Sequence, residues 1–396
     1  SAYRVGFIVA CLTVMGNATA SKCGTGNNVS HTFCMYARKP NTHLLLYGRG
    51  ATPRKTLMAS ETPAPQPSRL RNIQLLRIFS VTGVVLFHVY GMIYDSGRFE
   101  DATREFYRQL YYAPVNCWLI NLAMPLFTLI SGYLFTRQIE RGKLTSWRSM
   151  LAKKAKRILI PYYIFTPLFM LTTNAFTWER LYTSYWHLWF LPMLMWCFVT
   201  TYALRNFMRT NIGAATVLAV ATALMFVPRF LPAFMNMKML THWYMYFAIG
   251  NVLALREGQL FALFDKTRLH YPMLAAGIIY AVLSPETYAC NSAAMIAQQM
   301  LVLLPLWHIT SRADLAWMDK SPTLRLIDDS SFGLYIFHYW IGQYLLSATA
   351  MHLLPLQTLA REHPYIFPFV LFIVTFAISL LLTALIKKTK YGKAIL

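Results

Sequence analysis

The sequence predicts an all-α integral membrane protein with about ten transmembrane helices. Of the 396 residues, 56% are hydrophobic and only 13% are charged, and the mean hydropathy is +0.40. Apolar runs of about 20 residues recur along the chain, which is the length that crosses the hydrocarbon core of a bilayer as a helix. No run alternates with the two-residue period of a membrane β-barrel. Helices therefore remain the way to satisfy the backbone in lipid.

The helical core is predicted to have both of its ends in the cytoplasm. With the segment before the first span placed inside, the inner loops and the tail hold twenty Lys and Arg residues, and the outer loops hold seven. Such an excess marks the cytoplasmic side. The predicted spans, in chain order, cover residues 73–94, 114–135, 158–175, 187–204, 212–228, 240–255, 271–284, 292–310, 332–351 and 365–386.

Residues 1–68 differ in composition from the core. They are polar and rich in Gly, Asn and Thr, and they end in a Pro-rich linker from Thr62 to Pro67. An apolar stretch followed by Ala18, Thr19 and Ala20 is similar to a short signal peptide, but a cleaved signal would leave the first span facing the wrong way for the charge distribution. We expect residues 1–68 to be an atypical extension and linker that is disordered or, for residues 1–57, a mis-assigned start, residues 69–388 to form the membrane domain and residues 389–396 to form a short basic cytoplasmic tail.

The charge and the cysteines do not indicate a nucleic-acid-binding protein, a disulfide-rich protein or a zinc protein. The net charge is +22, but most basic residues flank spans, where anionic lipid and the insertion rule explain them without nucleic acid. The segment from Arg141 to Arg157 is dense enough to attract a cytosolic polyphosphate as well. The six cysteines show neither a disulfide framework nor a zinc-binding spacing.

Arg77 and His88 place two ionisable side chains inside the first predicted span. Their spacing of eleven residues returns to within roughly 20° of the same helical face, with about 16 Å between them along the axis. A charged residue in a span costs about 2.5 kcal/mol or more unless it faces protein or water, and is therefore a functional candidate. The alternatives are a snorkelling Arg77 and a His88 satisfied by a neighbouring helix.

Two further histidines lie in aromatic surroundings. His187 and Trp189 belong to the segment WHLWFLP at the predicted outer start of the fourth span; an interfacial aromatic belt is the alternative interpretation. His338 ends the segment SFGLYIFH, which opens the ninth span from the inner side just after Asp328 and Asp329. Its alternative is a histidine paired with those carboxylates or with backbone.

Three more residues are candidates for substrate binding. Ser131 and Tyr133 flank Gly132 at the inner end of the second span, where a small-residue helix contact is the alternative. Arg157 opens the third span, where an inner-edge anchor is the alternative. His88, His187 and His338 could together bind a metal, but their predicted depths differ, with His338 toward the inner side, so no metal site is expected.

Taken together, these motifs resemble the membrane-bound acyltransferase-3 family of bacterial O-acyltransferases. The resemblance extends over nearly all of residues 69–386 and is carried by ordered segments. They are LRNIQLLRIFSVTGVVLFH, PLFTLISGYLF, KRILIPYY, HLWFLPMLM and SFGLYIFH. Asn72 and Ile73 stand where the family often has Asp-Gly or Asn-Leu, and this departure concerns the acceptor or the subfamily more than the chemistry.

The resemblance implies an enzyme of the bacterial inner membrane. It would transfer a short acyl group, acetyl or succinyl, from cytosolic acyl-CoA to a hydroxyl of an envelope polysaccharide or glycolipid, without a metal. Arg77 and His88 match the residues regarded as essential in the family. A neutral His88 suits general-base activation of a hydroxyl, the inner basic residues suit the CoA phosphates, and His187 or Arg77 could stabilise the oxyanion.

A different class of protein is also compatible with the sequence. A polytopic transporter or exporter of a glycolipid or an acylated metabolite could use the buried Arg and His as substrate or proton sites. Transport predicts flux without thioester cleavage, whereas an enzyme predicts CoA thiol release that depends on the acceptor. A CoA-gated sensor would bind CoA without turnover.

Overall fold

The computed structural model describes residues 71–95, 99–109, 121–283, 293–347 and 356–396. Within these ranges the chain is helical and contains no β-strand, as the composition predicts. The expected N-terminal extension lies outside the described residues. So does the first part of the predicted span 114–135.

Fifteen α-helices, some continued by a short 3-10 or π-helical turn, make up the described part of the chain. In chain order they are α1 Arg71–Asp95, α2 Asp101–Tyr107, α3 Asn121–Glu140, α4 Trp147–Lys154, α5 Ile160–Thr172, α6 Trp178–Thr183, α7 Phe190–Leu204, α8 Asn211–Leu224, α9 Leu240–Thr267, α10 His270–Leu283, α11 Ala293–Arg312, α12 Pro322–Leu345, α13 Leu356–Glu362, α14 Phe367–Lys388 and α15 Lys390–Ile395.

Five segments of the described chain are long and apolar enough to cross a membrane. They are Arg71–Tyr94, Trp186–Leu204, Phe234–Thr267, Ala293–Arg312 and Phe367–Lys388. A shorter apolar helix, Asn211–Leu224, accompanies them. These helices indicate a multi-pass membrane protein, while the full number of ten spans and the cytoplasmic ends stay predictions.

Helix α12 begins ten residues before the predicted start of the ninth span. Pro322 occupies its first turn, where a missing N–H costs nothing, and the Ser321 side chain accepts a hydrogen bond from the backbone N–H of Leu324 at 3.3 Å. Asp328 and Asp329 therefore lie inside the helix rather than in a loop before it. Helix α9 reaches Thr267 but is kinked at Arg256, where φ is −135° and ψ is 20°, directly after the predicted end of the sixth span at residue 255.

Helix α1 is the centre of the fold and contacts α3, α11, α12 and α14. Helices α3 and α9 approach each other most closely at Gly132 and Gly250. A Cβ atom on Gly132 would lie 2.1 Å from the Phe247 carbonyl oxygen, and one on Gly250 would lie 2.0 Å from that of Leu129. Because small residues let helix backbones approach, these two glycines set the distance between α3 and α9.

Candidate active site

Three histidine rings from distant parts of the chain meet beside α1. His88 comes from α1, His338 from α12, and His187 from the 3-10 turn Trp186–Trp189 that precedes α7. The ring centroids of His88 and His187 lie 5.0 Å from that of His338 and 6.2 Å from each other. The prediction that His338 lies at a different depth was wrong, because the earlier start of α12 moves His338 farther along its helix.

Backbone carbonyls fix the protonation of two of these rings. His88 Nδ1 lies 2.9 Å from the Val84 carbonyl oxygen, and His338 Nδ1 lies 2.9 Å from that of Leu334. A carbonyl oxygen only accepts, so in each neutral ring the proton is on Nδ1 and the lone pair is on Nε2. The backbone alternative considered for His338 is thus confirmed.

His338 and His88 are also in direct contact through their ring nitrogens. His338 Nε2 lies 3.1 Å from His88 Nδ1, and only the His88 nitrogen of this pair carries a proton in the arrangement above. His88 Nδ1–H is therefore shared between the Val84 carbonyl and His338 Nε2. Within the described residues, both hydrogen-bond contacts of the His88 ring use Nδ1, and the lone pair on Nε2 remains available as the basic nitrogen.

His187 is held in place by three contacts with α12. Its Nε2 donates to the Ile336 carbonyl oxygen at 2.9 Å, the Tyr335 hydroxyl donates to the His187 carbonyl oxygen, and the ring stacks on Tyr339 at 5.2 Å between centroids. The other nitrogen, Nδ1, is buried without a hydrogen-bond partner in the described residues. Neutral His187 has no N–H left for an oxyanion, so it does not fit the predicted role as oxyanion donor.

A cavity of about 200 Å³ opens beside the histidines. Four aromatic rings, two histidines and the residues Gly91 and Met92 line it. The lining is Phe87, His88, Gly91, Met92, Trp186, His187, Trp189 and Tyr339. Trp186 has a φ of +43°, a left-handed conformation that is uncommon for a bulky residue and often marks a functional site. The cavity therefore combines apolar walls with a few polar nitrogens, as ligand sites commonly do.

Arg77 forms an ion pair with a residue of α12. Its Nε is 2.8 Å from Asp328 Oδ1, and the Asp328 side chain is only 7% exposed. Of the two acidic residues before SFGLYIFH, Asp328 therefore pairs with Arg77 and not with His338. Asp328 is thus a buried counterion for Arg77, whose own side chain is 29% exposed, and Arg77 is not among the residues that line the cavity.

A second arginine stands close to Arg77. Arg157 lies in the π-helical turn Ala155–Leu159 between α4 and α5, and its side chain stays accessible. Partial loss of water and the neighbouring Arg77 guanidinium both lower the Arg157 pKa. Two guanidinium groups held near each other favour an anion between them, which is the arrangement that phosphate recognition uses.

Lys154 extends this basic region but is buried. Its Nζ donates to Gln138 Oε1 at 3.0 Å and lies over the rings of Phe135 and Phe198, 5.0 and 4.6 Å from their centroids. Burial, and to a lesser extent Arg157, lowers the Lys154 pKa to about 8. Lys154 thus packs against aromatic rings and an amide. It stabilises the π-helical turn that carries Arg157.

Ser131 and Tyr133 lie elsewhere, in the contact of α3 with α9 and α11. The Ser131 hydroxyl donates to the Phe127 carbonyl oxygen at 2.8 Å within α3. The Tyr133 hydroxyl donates to Glu257 at 3.1 Å, and the Trp307 indole donates to the same carboxylate at 2.9 Å. Neither residue lines the cavity, and Gly132 between them makes the small-residue helix contact that was the alternative interpretation.

Sequence reasoning did not single out Phe87 or Tyr339 as part of the site. Phe87 is the residue before His88, and Tyr339 is the residue after His338 and stacks on His187. The available signal was their adjacency to the two motif histidines. Among the described residues, no group of three or more His, Cys, Asp or Glu side chains is arranged to hold a metal ion.

The comparison with protein families identifies the class to which this fold and site belong. The family model Acyl_transf_3, described as an acyltransferase domain, matches residues 70–386. The chain therefore belongs to the acyltransferase-3 family and is an acyltransferase, and membership supports acyl transfer to hydroxyl groups of carbohydrates. Searches of curated proteins and of solved structures found no match.

Proposed function

We propose that this protein transfers a short acyl group from cytosolic acyl-CoA to a hydroxyl of an envelope polysaccharide or glycolipid, in the bacterial inner membrane. Acetyl is the first candidate for the acyl group and succinyl the second, and residues 69–388 form the acyltransferase domain. The observation that carries the proposal is the basic Nε2 of His88, in a residue that lines an aromatic-walled cavity and shares a helix with Arg77.

His88 is proposed to be the general base. A sugar hydroxyl is a poor nucleophile near neutral pH, and a positioned imidazole that removes its proton contributes about 10² to 10⁴ in rate. As the hydroxyl oxygen bonds to the thioester carbonyl carbon, its proton passes to His88 Nε2. The tetrahedral intermediate then expels the CoA thiolate, which takes the proton from His88 and leaves as free thiol.

The cavity walls support a carbohydrate acceptor. Trp186, Trp189 and Tyr339 offer apolar ring faces, and the two indoles also carry N–H donors. Alternating hydroxyl groups and C–H faces on a sugar ring can use both kinds of surface, because aromatic side chains combine an apolar body with a polar tip.

Arg77 and Arg157 are proposed to bind the phosphates of the donor. Arg77 lies about 16 Å from His88 along α1, so phosphates held there are well separated from the base. In CoA, the pantetheine arm likewise separates the phosphates from the thioester, so the phosphates can lie near Arg77 while the thioester lies near His88. A donor bound in this way enters from the predicted cytoplasmic side, while the acceptor reaches His88 from the other side.

Thiol release by the reconstituted full-length protein tests the function. Vesicles containing the wild type are given acetyl-CoA with and without a glycolipid extract of the host membrane. We expect free thiol to appear only with the extract and His88→Gln to release at least about 100-fold less. His363→Gln is the control, because His363 is exposed and does not line the cavity.

Three other outcomes would contradict parts of the proposal. Absence of thiol release with acetyl-CoA and succinyl-CoA, in protein that melts normally and binds CoA, would contradict acyl transfer from CoA. Movement of glycolipid across the vesicle without thiol release would favour the transporter instead. Equal release by wild type and His88→Gln would leave the enzyme class intact and remove His88 as the base.

A further inference from the structure

We propose that His338 is a positioning residue that keeps His88 in its basic form and stabilises the cation that forms when His88 takes a proton. The inference rests on the proposed function of His88 as general base. It assigns His338 a task different from the substrate binding that the sequence suggested. Because the His338 side chain is fully buried, its action reaches the substrate only through His88.

The hydrogen bond between the two rings has a defined direction. The Leu334 carbonyl requires a proton on His338 Nδ1, at 2.9 Å. Neutral imidazole carries one N–H only, so His338 Nε2 is an acceptor. At 3.1 Å from His88 Nδ1, it accepts a hydrogen bond from the His88 Nδ1–H and has no proton to donate in return.

His88 becomes a cation when it gains a proton at Nε2. The resulting imidazolium has N–H groups at both nitrogens, and its Nδ1–H becomes a stronger donor. Two acceptors already face it, the Val84 carbonyl at 2.9 Å and His338 Nε2 at 3.1 Å. No rearrangement is needed as the charge develops, which is the condition under which such contacts lower a barrier.

A histidine is better suited to this place than a carboxylate. A carboxylate could accept the same hydrogen bond from His88 Nδ1–H, but a fixed negative charge inside a membrane-spanning bundle carries a large desolvation cost. Neutral imidazole offers an acceptor of comparable directionality without net charge. The described cavity lining is likewise free of Asp, Glu, Lys and Arg.

The surroundings of His338 hold its ring in one orientation. It packs against the ring of His187 at 5.0 Å and that of Tyr335 at 6.2 Å between centroids. The backbone of α12 supplies the Leu334 carbonyl from the preceding turn. Since water has no access to a fully buried ring, a variant that loses the acceptor cannot recruit water to the same position without a rearrangement.

Two substitutions of similar size separate positioning from packing. In His338→Gln the amide oxygen can reach the place of Nε2 and accept, whereas His338→Met fills the space with only a weak acceptor. A hydrogen bond to a charged group is worth about 10- to 100-fold in rate. We therefore expect kcat of His338→Met to fall by about that factor with KM for acetyl-CoA and for the acceptor nearly unchanged, and His338→Gln to recover much of the loss.

The outcomes distinguish failure of this inference from failure of the proposed function. If the wild type in vesicles transfers no acyl group, the function itself is wrong. If the wild type is active and both variants keep wild-type kcat, or both lose it equally while melting normally, His338 does not act as an acceptor for His88. A rise in acceptor KM with unchanged kcat in His338→Met would return His338 to substrate binding.

Discussion

His338 Nε2 lies 3.1 Å from His88 Nδ1, although 250 residues separate the two histidines in sequence. The contact joins α1 to α12 at the depth of the cavity. Two hydrogen bonds within the helices orient the rings for this contact, since each ring is anchored to the carbonyl four residues before it. The pair thus presents one basic nitrogen, His88 Nε2, from a residue of the cavity lining.

The position of Arg77 beside Arg157 leads to a prediction about the donor. We expect Arg77→Gln to raise KM for acyl-CoA about 10- to 100-fold, the value of a hydrogen bond to a charged group, with a smaller effect on kcat. Steady-state thiol release at varied acetyl-CoA measures it. Arg229→Gln removes an exposed arginine on the predicted outer side and serves as the control. An unchanged donor KM in Arg77→Gln would refute phosphate binding by Arg77.

The closest contact of α3 with α9 predicts a pair of opposite stability effects. In Gly132→Ala the new methyl group would lie 2.1 Å from the Phe247 carbonyl oxygen, and such overpacking typically costs about 1–3 kcal/mol. In Gly258→Ala nothing lies within 4 Å of the new group, and alanine in a helix gains about 0.5–1 kcal/mol over glycine. Thermal unfolding in detergent is expected to show a lower Tm for the first variant only; equal melting temperatures would contradict the packing.

Lys154 predicts a dependence of stability on pH. Its pKa is about 8 in the folded protein against 10.5 for a free side chain, so between these values the unfolded chain binds more protons. Stability contributed by this group therefore rises with pH from about 8 to 10.5, by about 3 kcal/mol in full. We expect Lys154→Met to lose that rise in thermal melts, while the exposed neighbour in Lys153→Met keeps it.

Much of the site could be predicted from sequence because helical periodicity alone relates Arg77 to His88. The convergence of the three histidines could not be predicted from sequence, because the depth of His338 depends on where α12 begins. Starting at residue 332, the helix would carry His338 about 9 Å from its inner end; starting at Pro322, it carries it about 24 Å. Asp328 looked like a loop residue, and only its ion pair with Arg77 explains an acidic side chain inside that helix.

The roles of Ser131 and Tyr133 illustrate a different limit of sequence reasoning. A hydroxyl beside a glycine in a span serves equally for substrate binding or for helix packing, and the residues alone do not decide. The deciding partners, Phe247 and Glu257, lie more than 100 residues away on α9. Pairing between distant helices is set by packing and leaves no local pattern in the chain.

Transfer of label from the donor to a carbohydrate addresses the role of His88 itself. Vesicles with wild type, His88→Gln or His363→Gln receive acetyl-CoA labelled in the acetyl group, together with glycolipid extract. Label on the carbohydrate fraction in wild type and His363→Gln, with at least about 100-fold less in His88→Gln at equal CoA binding, is the expected result. Equal labelling by His88→Gln and wild type would contradict the proposal that His88 activates the acceptor hydroxyl.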